Sequence, residues 1–260
     1  MPLKWSISLA MLSLVGLSAC IRNPTPTPTP PLWQNAIPIG YIIANPDAYR
    51  GRQVTVVAYY RGWDLFGETG YGPPVTRSDV AVADATGAIY IVSKPGASWS
   101  KDTPPLSPHR PQSTTYLLHI EGVVKLTSAG QPYIEVKEGK VVDGLPTGVV
   151  LRICRKGGIA GFDQELMLMQ DGAAYLLDRK ARRGVHFTLD AVQVEEALEQ
   201  LELLSAQGEL GKPIPDGFTY EVTFWDGKAF RAVRLYTGGA PAEFTKLLQA
   251  INAWFEEGNR

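Results

Sequence analysis

The run Arg155-Lys156-Gly157-Gly158-Ile159-Ala160-Gly161-Phe162 is the densest set of residues in this chain that could take part in recognition or chemistry. Its glycines allow positive φ and a close backbone approach to a partner. It is not a phosphate loop, because no Gly-Lys-Ser/Thr follows. It is not a dinucleotide fingerprint either, because the glycine spacing differs and no helix opens there. The residues leave two readings open. One is a glycine-rich turn between strands. The other is an insertion loop, with Gly157, Gly158, Ile159, Ala160, Gly161 and Phe162 as the partner contact. On the second reading a tryptophan at Gly158 is expected to block docking while leaving the fold intact.

Other reactive groups are sparse. His109, His119 and His186 fall in different predicted elements and lack the spacing of metal ligands. Cys154 ends the apolar run Val149-Val-Leu-Arg-Ile-Cys154 and is expected to be a small buried hydrophobe rather than a nucleophile. Glu195-Glu196 and Glu256-Glu257 are neighbours on helical stretches, so the members of each pair do not face each other. His-Glu-x-x-His and Gly-x-Ser-x-Gly are both absent from the sequence. No catalytic residue, metal site or cofactor is expected, and the chain reads as a binding protein rather than an enzyme. Tyr59, Tyr60, Trp63, Phe66 and Tyr71 gather around one strand, where they are expected to fill and cover a barrel; stacking on bases or sugars is the alternative. Arg179-Lys-Ala-Arg-Arg183 is expected to be a solvated turn, with a partner or lipid-headgroup patch as the alternative.

The elements that position these residues follow an export signal. Residues 1–19 carry one cation, Lys4, then an apolar run from Ile7 to Leu17 that is too short for a spanning helix. Leu17-Ser18-Ala19-Cys20 resembles a bacterial lipobox, which implies lipidation of Cys20 and a membrane anchor of acyl chains such as palmitate. Residues 20–34 include Asn23-Pro-Thr-Pro-Thr-Pro-Thr-Pro-Pro31. Proline removes donors and fixes φ, so this segment favours a polyproline stalk that holds a folded body off the bilayer. Without residues 1–19 the 25 cations fall to 24, against 26 anions. That balance is a poor match to nucleic acid, whose binders neutralise phosphates with Lys and Arg.

The body after the stalk exceeds one typical core, so two domains are expected, at 35–144 and 147–258. Asp143–Thr147, with Gly144 and Pro146, is the expected link, and pieces 32–144 and 147–260 are each expected to melt cooperatively. The fold class is mixed β and α+β: a small β-barrel, then an antiparallel sheet packed with two helices. In the first unit, strands are predicted at Val54–Tyr60, Val80–Asp84, Ala88–Val92, Thr115–Leu126 and Tyr133–Val142, with Gly96–Ser113 as a Pro/Ser-rich loop. In the second, Asp171-Gly172 and Asp226-Gly227 mark hairpins. Asp190 with Gln193 resembles a capping box ahead of one helical face, and a second helix runs from Pro241 to Gly258.

Two resemblances follow from these patterns. "I-x-x-I-I-A-N-P-x-x-Y-x-G-x-x-V-T-V", then "D-A-T-G-x-I-x-I-V" and "H-I-E-G-V-V", resembles the OB-fold modules of exported bacterial proteins, which implies an OB-like barrel. A strand ending "R-K-G-G-I-A-G-F", a hairpin, a capped helix, "F-T-Y-E-V-T-F" and "G-G-A-P-x-x-F-x-x-L-L-x-x-I" is similar to the emfourin family. Those proteins are small inhibitors of thermolysin-like zinc metalloproteases. The resemblance implies a domain that binds a protease cleft without supplying metal or catalytic groups. The chain departs from the simplest family pattern in the strand Gly184–Leu189 and the basic turn before it. The expected function is that of a lipid-anchored envelope protein that binds a protein partner, a metalloprotease by this resemblance. The alternative is a non-inhibitory envelope adaptor or ligand-binding lipoprotein.

Overall fold

The computed structural model describes residues 36–239 and 242–260. The expected signal segment, Cys20, the expected Pro/Thr stalk and Pro241 lie outside them. The described chain is mostly β, in two sheets with few helices.

The first sheet is a closed five-stranded barrel. Its strands are β1 (Gln53–Gly62), β2 (Val80–Asp84), β3 (Gly87–Trp99), β4 (Leu117–Leu126) and β5 (Pro132–Val142), in the order β1-β2-β3-β5-β4. β1 pairs with β4 to close the ring, and only β3 and β5 run parallel. Val54, Val56, Ala58 and Tyr60 of β1 point into the barrel core with Ile89, Ile91, Leu118 and Ile120. Side chains alternate along a strand, so Val57 and Tyr59 project from the outer wall.

The apolar stretch before Asn45-Pro46 forms a short helix, α1 (Ile39–Ala44), and a second, α2 (Pro46–Tyr49), starts at Pro46. α1 buries Ile39 and Ile42 in the barrel core, and the Ile39 amide donates to Asp84 Oδ2 at 2.8 Å. β3 runs on to Trp99, into the stretch expected to be loop. After a register shift, Ser98 and Trp99 pair with Glu138 and Gly139 of β5. That long-range pairing overrides local propensity.

The second sheet has seven strands: β6 (Val149–Gly157), β7 (Phe162–Met169), β8 (Ala173–Asp178), β9 (Arg183–Thr188), β10 (Glu209–Leu210), β11 (Phe218–Trp225) and β12 (Phe230–Tyr236). The order is β10-β12-β11-β6-β7-β8-β9, antiparallel throughout except for the two-residue β10, which runs parallel to β12. α3 (Ala191–Leu204) and α4 (Ala242–Gly258) cover one face, where Val194, Ala197, Leu201, Phe244, Ile251 and Trp254 pack on Leu151, Ile153, Leu166 and Leu176. Asp190 caps α3 through the Val192 amide at 2.9 Å. The reciprocal arm of a capping box is absent, because Gln193 Oε1 accepts from Trp254 Nε1 at 3.5 Å instead.

The opposite face of this sheet carries Met167, Tyr175 and Leu177, which pack against Val57, Tyr59, Phe66 and Leu117 of the barrel unit. β7 and β8 are therefore covered on both sides, by helices and by barrel. Each unit has its own core, and this third cluster is shared between them.

Candidate functional site

Gly157 of β6 pairs with Phe162 of β7, so residues 158–161 form the connecting loop. Gly157, Gly158 and Gly161 all have positive φ, at 102°, 70° and 63°. The loop is held at both shoulders. The Gly158 amide donates to Gly217 O at 3.1 Å, the Gly161 amide to Gly158 O at 2.9 Å, and Lys180 Nζ to Ala160 O. Ile159 stands at the tip with 91% of its surface exposed, and Ala160 and Gly161 are exposed beside it.

The other three predicted contact residues face inward. Gly157 lies against Gly217 O, which a Cβ would approach to 2.4 Å, and a Cβ on Gly158 would lie 2.7 Å from the Phe218 ring. A tryptophan at Gly158 would therefore collide with Phe218 and disturb the fold, contrary to the sequence expectation. The half-buried Phe162 packs on Phe218 with ring centroids 5.8 Å apart.

Behind Phe162 lies Arg155, whose position sequence reasoning passed over. It continues the helix-facing side of β6 set by Leu151 and Ile153, so a cation enters an apolar face. Its guanidinium sits 5.1 Å from the rings of Phe162 and Phe218 and 4.1 Å from that of Phe255. Nε donates to Gln164 Oε1 at 3.1 Å and Nη1 to Asn252 Oδ1 at 3.3 Å; Nη2 also donates to Gln164 Oε1. A cleft of about 520 Å³ opens over this cage, lined by Arg155, Phe162, Phe218 and residues of α4.

A second polar cluster lies between barrel and sheet. Glu165 is fully buried on β7 and pairs with Arg152 Nε at 2.7 Å and with Arg179 Nη2. Burial opposes its charge, but Arg152, Arg179 and Arg61 outweigh that and hold its carboxyl well below the usual range. Arg179 is thus part of the interior, which corrects the solvated-turn reading for this member of the basic run. Lys180, Arg182 and Arg183 are exposed. Thr114 joins the units: its carbonyl accepts from Arg61 Nη1 at 3.2 Å and its hydroxyl from Arg179 Nε at 3.3 Å. Arg61 Nε lies 2.9 Å from Glu68 Oε2 without directing a hydrogen bond at it, and the other Glu68 oxygen accepts from the Tyr175 hydroxyl. The only sequence signal for this cluster is a set of charges interrupting apolar strands.

The remaining candidates are dispersed. Cys154 is buried, and burial pushes its thiol up to about 11. His109 lies beside Trp63 with ring centroids 6.0 Å apart, and His186 beside Tyr175 at 4.6 Å. Among the described residues no three His, Cys, Asp or Glu side chains form a group able to hold a metal ion. Of the five aromatics, Tyr60 fills the barrel, Tyr59 and Phe66 join the shared core, and Tyr71 stacks edge-on against Tyr90. Trp63 is half exposed. Comparison of the sequence with protein-family models and with curated proteins returns no match.

Proposed function

We propose that this chain is a lipid-anchored protein of the bacterial cell envelope whose body binds a protein partner through the 158–161 loop, and that the partner class is a thermolysin-like zinc metalloprotease. The observation that carries the reading is Ile159, an almost fully exposed apolar side chain on a backbone braced by Gly217, Lys180 and its own turn. A pre-shaped segment loses little conformational entropy on docking, which is how a small apolar tip gains affinity. The anchoring half of the reading rests on the Leu17–Cys20 motif and the proline stalk. The barrel's β1-β2-β3-β5-β4 order agrees with an OB-like module in support of that body.

The test is inhibition of a thermolysin-like peptidase by the full chain in detergent. Reversible slowing that excess zinc does not relieve is expected. Ile159→Asp should weaken it about tenfold or more, the loss of a buried apolar anchor. A well-folded full chain that inhibits no such enzyme leaves the adaptor reading in place. Cys20→Ser should release the protein from the membrane fraction or leave the precursor unprocessed; unchanged partition and processing would remove the anchor from the reading.

A further inference from the structure

Arg155 is 6% exposed, and its three nitrogens are all hydrogen-bonded to neutral amide oxygens. Among the described residues no carboxylate comes within ion-pair distance of it, in contrast with Arg61, Arg152 and Arg179, each of which has at least one. A buried cation without a counter-charge is costly, since neutral partners offset only part of the lost hydration. Consistent with that, burial pushes the Arg155 pKa down.

A guanidinium carries five N–H groups; three are used by these amide oxygens and the Tyr220 hydroxyl is a further partner, which leaves one N–H of the Nη pair for a ligand. The cleft above it reaches water between the Phe162–Phe218 pair and Asn252 and Glu256 of α4, with Asn259 just past its end. Its volume of about 520 Å³ exceeds a lone carboxylate and suits a whole residue. The aromatic walls border the guanidinium with apolar surface, and the lower local dielectric strengthens an ion pair formed there. Of the two charges on the rim, Arg260 is already engaged by Glu257 at 2.8 Å, and Glu256 sets a repulsive edge that disfavours multiply charged anions.

We propose that this cleft is a carboxylate-binding site, in which the free edge of Arg155 receives the carboxylate of a polypeptide, from an acidic side chain or a C terminus, while Phe162 and Phe218 pack on the adjoining carbon atoms. Arginine suits this ligand because an N–H bond between two charged groups is roughly twice as strong as a neutral one, and a carboxylate supplies the missing counter-charge. The proposal does not depend on inhibition of a protease by the neighbouring loop.

The test is a titration of the full chain in detergent, followed by the Arg155 Nε–Hε resonance. N-acetyl-Ala-Phe as the free acid probes a chain terminus, N-acetyl-Asp N-methylamide probes a side chain, and N-acetyl-Ala-Phe amide is the uncharged control. At least one free carboxylate should shift the resonance saturably, and the amide should not. Asn252→Asp supplies an internal carboxylate at the oxygen that already accepts from Arg155 and from Tyr220 at 2.6 Å, so the variant should stay folded and occupy the edge itself. Its affinity for the probe should fall about tenfold or more, as expected for loss of a charge-assisted bond. No saturable shift in the native protein, equal binding of the amide, or a smaller loss in Asn252→Asp would overturn the proposal and leave Arg155 as a tie between β6 and α4.

Discussion

The guanidinium of Arg152 lies 4.9 Å from the centroid of the Tyr59 ring. Arg152 belongs to β6 of the open sheet and Tyr59 to β1 of the barrel, so the contact spans the two units. Arg61 approaches the same ring at 5.6 Å. Tyr59 is buried among Val57, Leu117 and Met167 as well. The two units therefore share apolar area and a cation–π stack, and separation would hydrate both.

Tyr59→Ala should consequently destabilise the whole molecule by about 3–5 kcal/mol, the usual cost of truncating a buried aromatic. Hydrogen exchange read separately on β4 and β8 should show both elements losing protection together. Loss confined to β4 would show that the barrel and the sheet unfold independently, and the separate pieces 32–144 and 147–260 would then be expected to melt cooperatively.

Glu165 makes the fold sensitive to acid. Its carboxyl is held below the ordinary range, because Arg152 and Arg179 outweigh the opposing effect of burial. A depressed folded-state pKa contributes stability above the unfolded value of about 4.3, and that contribution drains away as pH falls below it. Urea midpoints should therefore fall between about pH 4 and pH 2 in the native protein, where this carboxyl titrates in the unfolded chain. Glu165→Gln should cost about 3–5 kcal/mol at neutral pH, because Arg152 loses its carboxylate and buried Arg179 keeps only the partly exposed Asp163 at 3.5 Å. It should also flatten the acid limb of the curve; an unchanged limb would assign acid sensitivity to other groups.

The loop separates shape from contact. Gly158→Ala meets both positive φ and the Phe218 ring, and should lower stability by about 1–2 kcal/mol. Ile159→Ser touches neither constraint and should stay within about 0.5 kcal/mol of the native protein. Thermal melts of the two variants distinguish these outcomes. A large loss in Ile159→Ser would mean that the tip is structural rather than presented to a partner.

Much of the strand pattern is legible locally. β2 occupies its predicted stretch, and Asp171-Gly172 and Asp226-Gly227 make the expected turns, with the Asp171 and Asp226 side chains accepting from the Ala173 and Ala229 amides. Period-2 alternation and the turn chemistry of Asp and Gly act within a few residues, so one sequence displays them. The extension of β3 to Trp99 is not legible in this way, since its partner strand β5 lies far along the chain.

By itself, then, the sequence determined most of the strands and the two long helices, where the glycine loop falls, and that an apolar N-terminal run with a lipobox-like cysteine precedes the body. Only the tertiary structure decided what covers each face. Arg152 and Arg155 look alike as cations three residues apart on one strand, yet one faces the barrel and pairs with Glu165, while the other faces α4 and has only neutral partners and aromatic rings. Tyr175 and Glu68, 107 residues apart, meet for the same reason. Alternation along a strand assigns a side chain to a face, but burial and charge pairing depend on which distant element packs there.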